Sequence, residues 1–306
     1  MEIEMYDIII VGGGPAGISA GIYARRAGKS TLVIERSALG GQMTYSPKIE
    51  NYPAMLSVSG NELAEAMTDQ LIQLGGEFEF DEVTAVRDDG ENKTVVTHEN
   101  EFSARAVILA NGVKHRMLGL EGEEELVGSG ISFCAVCDGA FYRDLDVAVI
   151  GGGNSAMQEA LLLSEGCRSV TVVQNLSDFT GEKRLAENLG AKNNVKTLFD
   201  TVVEGFVTSE GTLKGIRVKN TATGEGSEIA CDGVFVAIGL VPENDAFGSL
   251  VPLDDRGYYK VGEDCTAPTH GIFVAGDCRS KKTRQITTAV ADGAVAALAA
   301  CSYIDN

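Results

Sequence analysis

No run of this chain approaches the length of about 20 apolar residues that spans a bilayer. The opening residues, MEIEMYDIII, have neither the basic start nor the small-residue cleavage site of a secretion signal, so a cytoplasmic protein is expected. Basic residues are scarce: 25 Lys and Arg stand against 44 Asp and Glu, a formal net charge of −19. A nucleic-acid binder needs cations to neutralise phosphates, so no nucleic acid and no anionic membrane surface are expected as partners. Any anionic cofactor must be held by local amides and dipoles against the overall field. Cysteine is too sparse for a secreted disulfide scaffold. Of the seven, Cys167, Cys231, Cys265, Cys278 and Cys301 are scattered singly and read mostly as buried small hydrophobes.

The 306 residues are long for one core and comfortable for two domains. The 37 glycines cluster in tight runs, a pattern of backbone lying close to a ligand. Two segments repeat one another at an offset of 139 residues: YDIIIVGGGPAGISAGIYARRAGKSTLVIE, 6–35, and LDVAVIGGGNSAMQEALLLSEGCRSVTVVQ, 145–174. Each reads as strand, glycine turn, amphipathic helix and second strand, a βαβ unit with a dinucleotide fingerprint. Gly12 and Gly151 make the tight turn, Gly14 and Gly153 let backbone approach a pyrophosphate, and Gly17 or Ala156 lets helix pack on strand. Each helix N-terminus then offers free N–H groups to the phosphates. Glu35, 23 residues after Gly12, ends the second strand, where a carboxylate accepts from a ribose diol; that suits the adenosine half of FAD. AVILANG (106–112), GVFVAIG (233–239) and GIFVAGD (271–277) are further apolar strands ending at glycine or Asp277. A long alanine-rich helix is expected from about Gln285 to Tyr303, its N-terminal dipole suited to negative charge on a reduced flavin.

SFCAVCDGAFYRD, 132–144, contains the only CxxC. Two intervening residues allow Cys134 and Cys137 to close a short disulfide with one activated thiol. The same spacing supplies half of a zinc site, but no second CxxC follows, and His98, His115 and His270 are widely separated. Asp138, next to Cys137, is a candidate acid/base for the departing thiolate, or a turn residue before Gly139. Because the pair precedes the second βαβ unit, it belongs to an inserted domain. A disulfide there cannot face flavin, nicotinamide and a protein partner at once, so a domain rotation is expected.

Over essentially its full length the chain resembles the low-molecular-weight thioredoxin reductases, through GGGPAG (12–17), GGQM (40–43), ENYP (50–53), CAVCDG (134–139), GGGNSAMQEA (151–160), AGD (275–277) and RQ (284–285). The resemblance implies FAD held by Gly12, Gly14, Pro15, Ala16, Gly17, Glu35, Gly41, Gln42, Asn51, Gly112, Asp277, Arg284, Gln285 and Ile286, and a nicotinamide nucleotide at Gly151, Gly153, Asn154, Ser155, Ala156 and Gln174. It further implies that Cys137 exchanges electrons with the flavin, Cys134 forms the mixed disulfide with the protein substrate, and Asp138 donates the proton. Two departures stand out. Members that use NADPH carry a HRRxxxR run, whereas here QNLSDFTGEK (174–183) puts Asn175, Leu176 and Thr180 at the arginine positions. None of these replaces a bidentate Arg–phosphate contact, and Lys183 and Arg184 are displaced from it. NADH is therefore expected rather than NADPH, with Gln174 a weaker ribose selector than a carboxylate. The second departure is Ser129, where an arginine that docks thioredoxin often stands, together with Ala140 before Phe141 and Tyr142. The resemblance implies a thioredoxin or a thioredoxin/glutaredoxin-like protein as partner.

The expected fold class is α/β, with two Rossmann-like dinucleotide-binding domains, the second inserted into the first: FAD domain 1–113 and 241–306, nucleotide domain 114–240. A homodimer is implied by the resemblance. The expected activity is a thioredoxin-disulfide reductase. One alternative is a disulfide reductase fed by ferredoxin or a deazaflavin; another is a non-catalytic flavin- or nucleotide-binding sensor.

Overall fold

The computed structural model describes residues 5–46 and 49–306; the first four positions of the expected FAD domain lie outside the described residues. The chain divides into two compact units, Met1–Lys114 with Val241–Asn306, and His115–Leu240.

The first unit is built on a sheet in the order Glu77–Glu79, Thr31–Ile34, Met5–Val11, Glu101–Leu109, Asn92–Thr97, Val83–Asp89, with Ile272–Val274 added along Glu101–Leu109. Met5–Val11 is parallel to both neighbours, which set Ile10 between Val33 and Ile108. Side chains alternate across a strand. Ile8 and Ile10 thus join one core with Ile18, Ala20, Ala296 and Ala297 of two helices, while Ile9 and Val11 join a second with Val95, Val251 and Tyr259. Covered on both faces, the central strand reads as the unbroken apolar run IIIV.

The long helix runs Ile286–Asp305, with Gln285 as its N-cap and Thr288 completing a capping box. This helix alone, among the described residues, is long and apolar enough by length and composition to cross a bilayer. Its composition has a different cause. Ala289, Gly293, Ala296, Ala297 and Ala300 are buried, and a Cβ on Gly293 would lie 2.1 Å from the Ala16 carbonyl oxygen. Small residues let this helix close onto the glycine-turn helix Pro15–Arg26, and small apolar residues raise hydropathy.

The second unit holds a five-stranded parallel sheet in the order Val195–Leu198, Ser169–Val173, Asp146–Ile150, Gly233–Val236, Ile131–Ser132. Ala156, Met157, Ala160 and Leu163 of the helix Asn154–Leu163 cover one face. A three-stranded antiparallel sheet, Thr201–Ser209, Thr212–Asn220 and Gly226–Ala230, covers the other through Phe206, Leu213, Ile216 and Val218. The fold is α/β, and each unit contains a Rossmann-like βαβ. All five single cysteines are buried, and burial pushes the Cys278 and Cys231 thiols up to about 12, so neither supplies a thiolate at neutral pH.

Candidate active site

In the first unit the glycine turn leaves Met5–Val11 at Gly12, whose φ of 105° suits glycine and whose hypothetical Cβ would meet the Ala110 carbonyl oxygen at 2.5 Å. Gly17 is tighter: a Cβ there would sit 1.8 Å from the Gly12 oxygen. Gly14 is the opposite case, with nothing within 4 Å of a Cβ, so its backbone faces open space at the start of a helix whose N1 residue is Pro15. Ala16 is buried behind it. Glu35 is 9% exposed; one carboxylate oxygen accepts from the Gly13 N–H at 2.7 Å and the other from the Ser37 N–H at 3.0 Å. Gly41 and Gln42 open the short 3-10 turn Gly41–Tyr45, and Gly41 approaches the turn at Gly14.

The loop after Ile272–Val274 carries Asp277 and, through Arg284 and Gln285, meets Tyr258 and Asn51 from far along the chain. Arg284 donates to the Asp277 carbonyl at 3.2 Å and lies 4.2 Å from the centre of the Tyr258 ring, and Asn51 donates to the Gln285 side chain at 3.3 Å. Ile286 begins the helix. Gly112, at φ 65°, has free space above it. Asp277 Oδ1 is buried without a hydrogen-bond partner, its nearest cation, Lys281 Nζ, being 3.7 Å away. Burial raises the Asp277 pKa, partly offset by Lys281 and Arg284. A buried acceptor without a donor is costly unless a ligand hydroxyl supplies one. The open cradle at Gly14, the helix N-termini and this orphaned acceptor together fit a dinucleotide with a polyol arm.

Sequence reasoning missed the brace beneath that loop. Asp292, inside the long helix, accepts from Arg279 at 2.8 and 3.0 Å, from Lys281 at 2.9 Å and from the Gly276 N–H at 3.0 Å. Arg279 is 3% exposed. A carboxylate in the middle of an alanine-rich helix was the only signal.

The second turn repeats the first. A Cβ on Gly151, at φ 131°, would lie 2.6 Å from the Ala237 oxygen, and Gly153 has only Thr180 Oγ1 near it, at 3.9 Å. Asn154, Ser155 and Ala156 form the helix start; Asn154 Oδ1 accepts from the Glu182 N–H at 2.7 Å. Gln174 occupies the place of Glu35 but turns inward: its amide donates to the Asp178 carbonyl at 3.0 Å and accepts from the Asn175 N–H at 3.1 Å. Thr180 donates to the Gly152 carbonyl through its N–H at 2.9 Å, and Leu176 is exposed.

Cys134 and Cys137 are joined as a disulfide at the helical turn Ala135–Asp138. The Cys137 N–H donates to Cys134 Sγ at 3.2 Å. Ser132, which sequence reasoning also missed, donates to Asp138 Oδ2 at 2.6 Å and accepts from the Cys134 N–H at 3.1 Å. It ties the acid to the first sulfur's backbone. Asp138 Oδ1 is buried and unpartnered, and burial raises this carboxyl's pKa against the opposing pull of Ser132. Asp138 therefore holds a proton more readily than a surface aspartate. Tyr142 is half-buried against the core, edge-on to Phe235 at 5.2 Å, and Ser129 donates to the Glu125 carbonyl at 3.2 Å.

Residues 6–293 match the family model described as pyridine nucleotide-disulphide oxidoreductase. Relatives called thioredoxin reductase include one from Listeria monocytogenes, 40% identical over all of this chain and 96% of its own length, and one from Bacillus subtilis at 38% with the same coverage. The crystal structure of thioredoxin reductase from Streptococcus pyogenes is 38% identical, covers 98% of each chain and superposes with a TM-score of 0.93.

Proposed function

Because the chain belongs to the pyridine nucleotide-disulphide oxidoreductase family, we infer that it is the NADH-favouring form of an FAD-dependent thioredoxin-disulfide reductase whose redox centre is Cys134–Cys137. The single observation that carries the reading is the disulfide beside a buried acid, on the unit that holds the second nucleotide turn. FAD, when bound, supplies a two-electron carrier between the reduced donor and that disulfide. Gly12 to Gly17, Glu35, Gly41, Gln42, Asn51, Gly112, Asp277, Arg284, Gln285 and Ile286 are the residues assigned to hold it.

Once the pair is reduced, the Cys134 thiolate attacks one sulfur of a thioredoxin-like disulfide, and the partner's other sulfur leaves as a thiol with the proton held at Asp138. Cys137 then attacks Cys134, re-forming the internal disulfide and releasing the partner as a dithiol. Two electrons and two protons pass to the partner. Ser132 steadies Asp138 once it has given up its proton. The reading includes a cytoplasmic homodimer.

NADH is favoured over NADPH because Asn175, Leu176 and Thr180 offer no cation to a 2′-phosphate. One observation favours a second reading, a ferredoxin or deazaflavin donor: both hydrogen-bonding ends of Gln174 are already used inside the protein. Steady-state reduction of thioredoxin with NADH, NADPH and reduced ferredoxin separates the two. NADH is expected to give the highest kcat/KM of the three; turnover with ferredoxin alone would replace the donor assignment and leave the dithiol chemistry standing.

A further inference from the structure

Two carboxylates in the first unit compete for one ammonium group. Lys281, whose side chain is 8% exposed, donates to Asp292 Oδ2 at 2.9 Å and lies 3.7 Å from Asp277 Oδ1. The first distance is a hydrogen bond, and the second is too long for one. Asp277 Oδ1 is therefore buried without a hydrogen-bond partner, although a cation stands close to it. Asp292 holds the ammonium because the fold fixes Asp292 from several sides. It accepts from the Gly276 N–H at 3.0 Å and from Arg279 at 2.8 and 3.0 Å. Arg279 in turn donates to the Gly262 carbonyl at 3.0 Å and pairs with Glu263 at 3.3 Å. The helix is pinned at this point as well, since the next residue, Gly293, abuts the Ala16 carbonyl. Asp277 is held separately, by Arg284 donating to its backbone carbonyl at 3.2 Å.

We propose that Asp292 is a positioning residue for the cofactor site: by holding Lys281, it keeps Asp277 Oδ1 free to accept from a hydroxyl of the FAD polyol arm. The proposal rests on the reading of this loop as part of an FAD site. A lysine ammonium has three donors on a flexible stem, so it turns toward the carboxylate that attracts it most. With Asp292 intact, the hydrogen bond goes to the helix and Asp277 is left open. With a neutral residue there, Asp277 is the remaining carboxylate, among the described residues, within ion-pair distance of Lys281. A charge-assisted bond from Lys281 then fills the acceptor, and FAD must displace it before a hydroxyl can bind. The loop keeps an ion pair in that case, so the loss falls on the cofactor.

The test titrates FAD into the FAD-free full chain, with binding read from flavin fluorescence and folding from urea unfolding of the same samples. Asp292→Asn is expected to bind FAD about tenfold more weakly than the wild type. Adding Lys281→Met to Asp292→Asn removes the competing ammonium, and the double variant is expected to regain most of that affinity. A cluster that acted only as packing predicts the reverse, because the second substitution removes a further contact. A double variant that binds FAD no better than Asp292→Asn therefore overturns the proposal, and so does unchanged affinity in Asp292→Asn. Where Asp292→Asn does not fold, Lys281→Met alone decides. It leaves Arg279 and the Gly276 N–H on Asp292, and it is expected to bind FAD within about threefold of the wild type. A tenfold loss in that variant overturns the proposal. A wild-type chain that FAD cannot reconstitute sinks the reading of the site itself, whereas FAD binding without rescue sinks only the role of Asp292.

Discussion

Replacing Cys134 with Ser is expected to reduce turnover of a thioredoxin-like disulfide to background while the flavin is still bleached by the donor. Removing the attacking group of a covalent mechanism costs on the order of 10⁶ in kcat in well-studied enzymes. Here it also removes the internal disulfide, so no dithiol can form. The five remaining cysteines outside the pair cannot take over, because all are buried and none neighbours Cys137 in sequence. Donor-dependent thioredoxin reduction, followed alongside flavin absorbance, checks both halves at once. Undiminished turnover in the variant would rule out the mechanism; loss of flavin bleaching as well would move the defect to cofactor binding.

The second large effect separates folding from cofactor binding within one turn. Gly17→Ala pushes a methyl group to 1.8 Å from the Gly12 carbonyl oxygen, a backbone atom with no room to yield. It is expected to cost more than about 3 kcal/mol and to leave little folded protein. Gly14→Ala meets nothing within 4 Å and is expected to fold with near wild-type stability. Its methyl group fills the space a pyrophosphate needs, so FAD affinity is expected to fall by at least about tenfold. Urea unfolding and FAD titration give the two readouts. Equal FAD affinity in Gly14→Ala and wild type would contradict the assignment of this turn to the cofactor.

The parts legible in the sequence are those set by short-range geometry. Gly12, Gly14 and Gly17 announce themselves by spacing, and the steric contacts at Gly12 and Gly17 explain why no other residue serves. The unbroken apolar run Ile8 to Val11 and the small-residue face of the long helix follow from the same local rules. That same alanine pattern hid how apolar the helix is, since it contains no long run of large side chains. What could not be read were partnerships closed by the fold. Asp292 meets Arg279 only because the loop after Ile272–Val274 returns over the helix. Gln174 stands at the right register to mimic Glu35, yet local bonds to Asp178 and Asn175 turn its amide inward, which spacing alone does not reveal.

Anaerobic titration of the FAD-loaded enzyme, with flavin absorbance and alkylation of Cys134 and Cys137 followed together, tests the account most directly. It predicts uptake of two electron pairs per chain, one bleaching the flavin and one freeing both sulfurs. Uptake of a single pair with both sulfurs still unreactive, or a colourless protein that FAD cannot reconstitute, would contradict it.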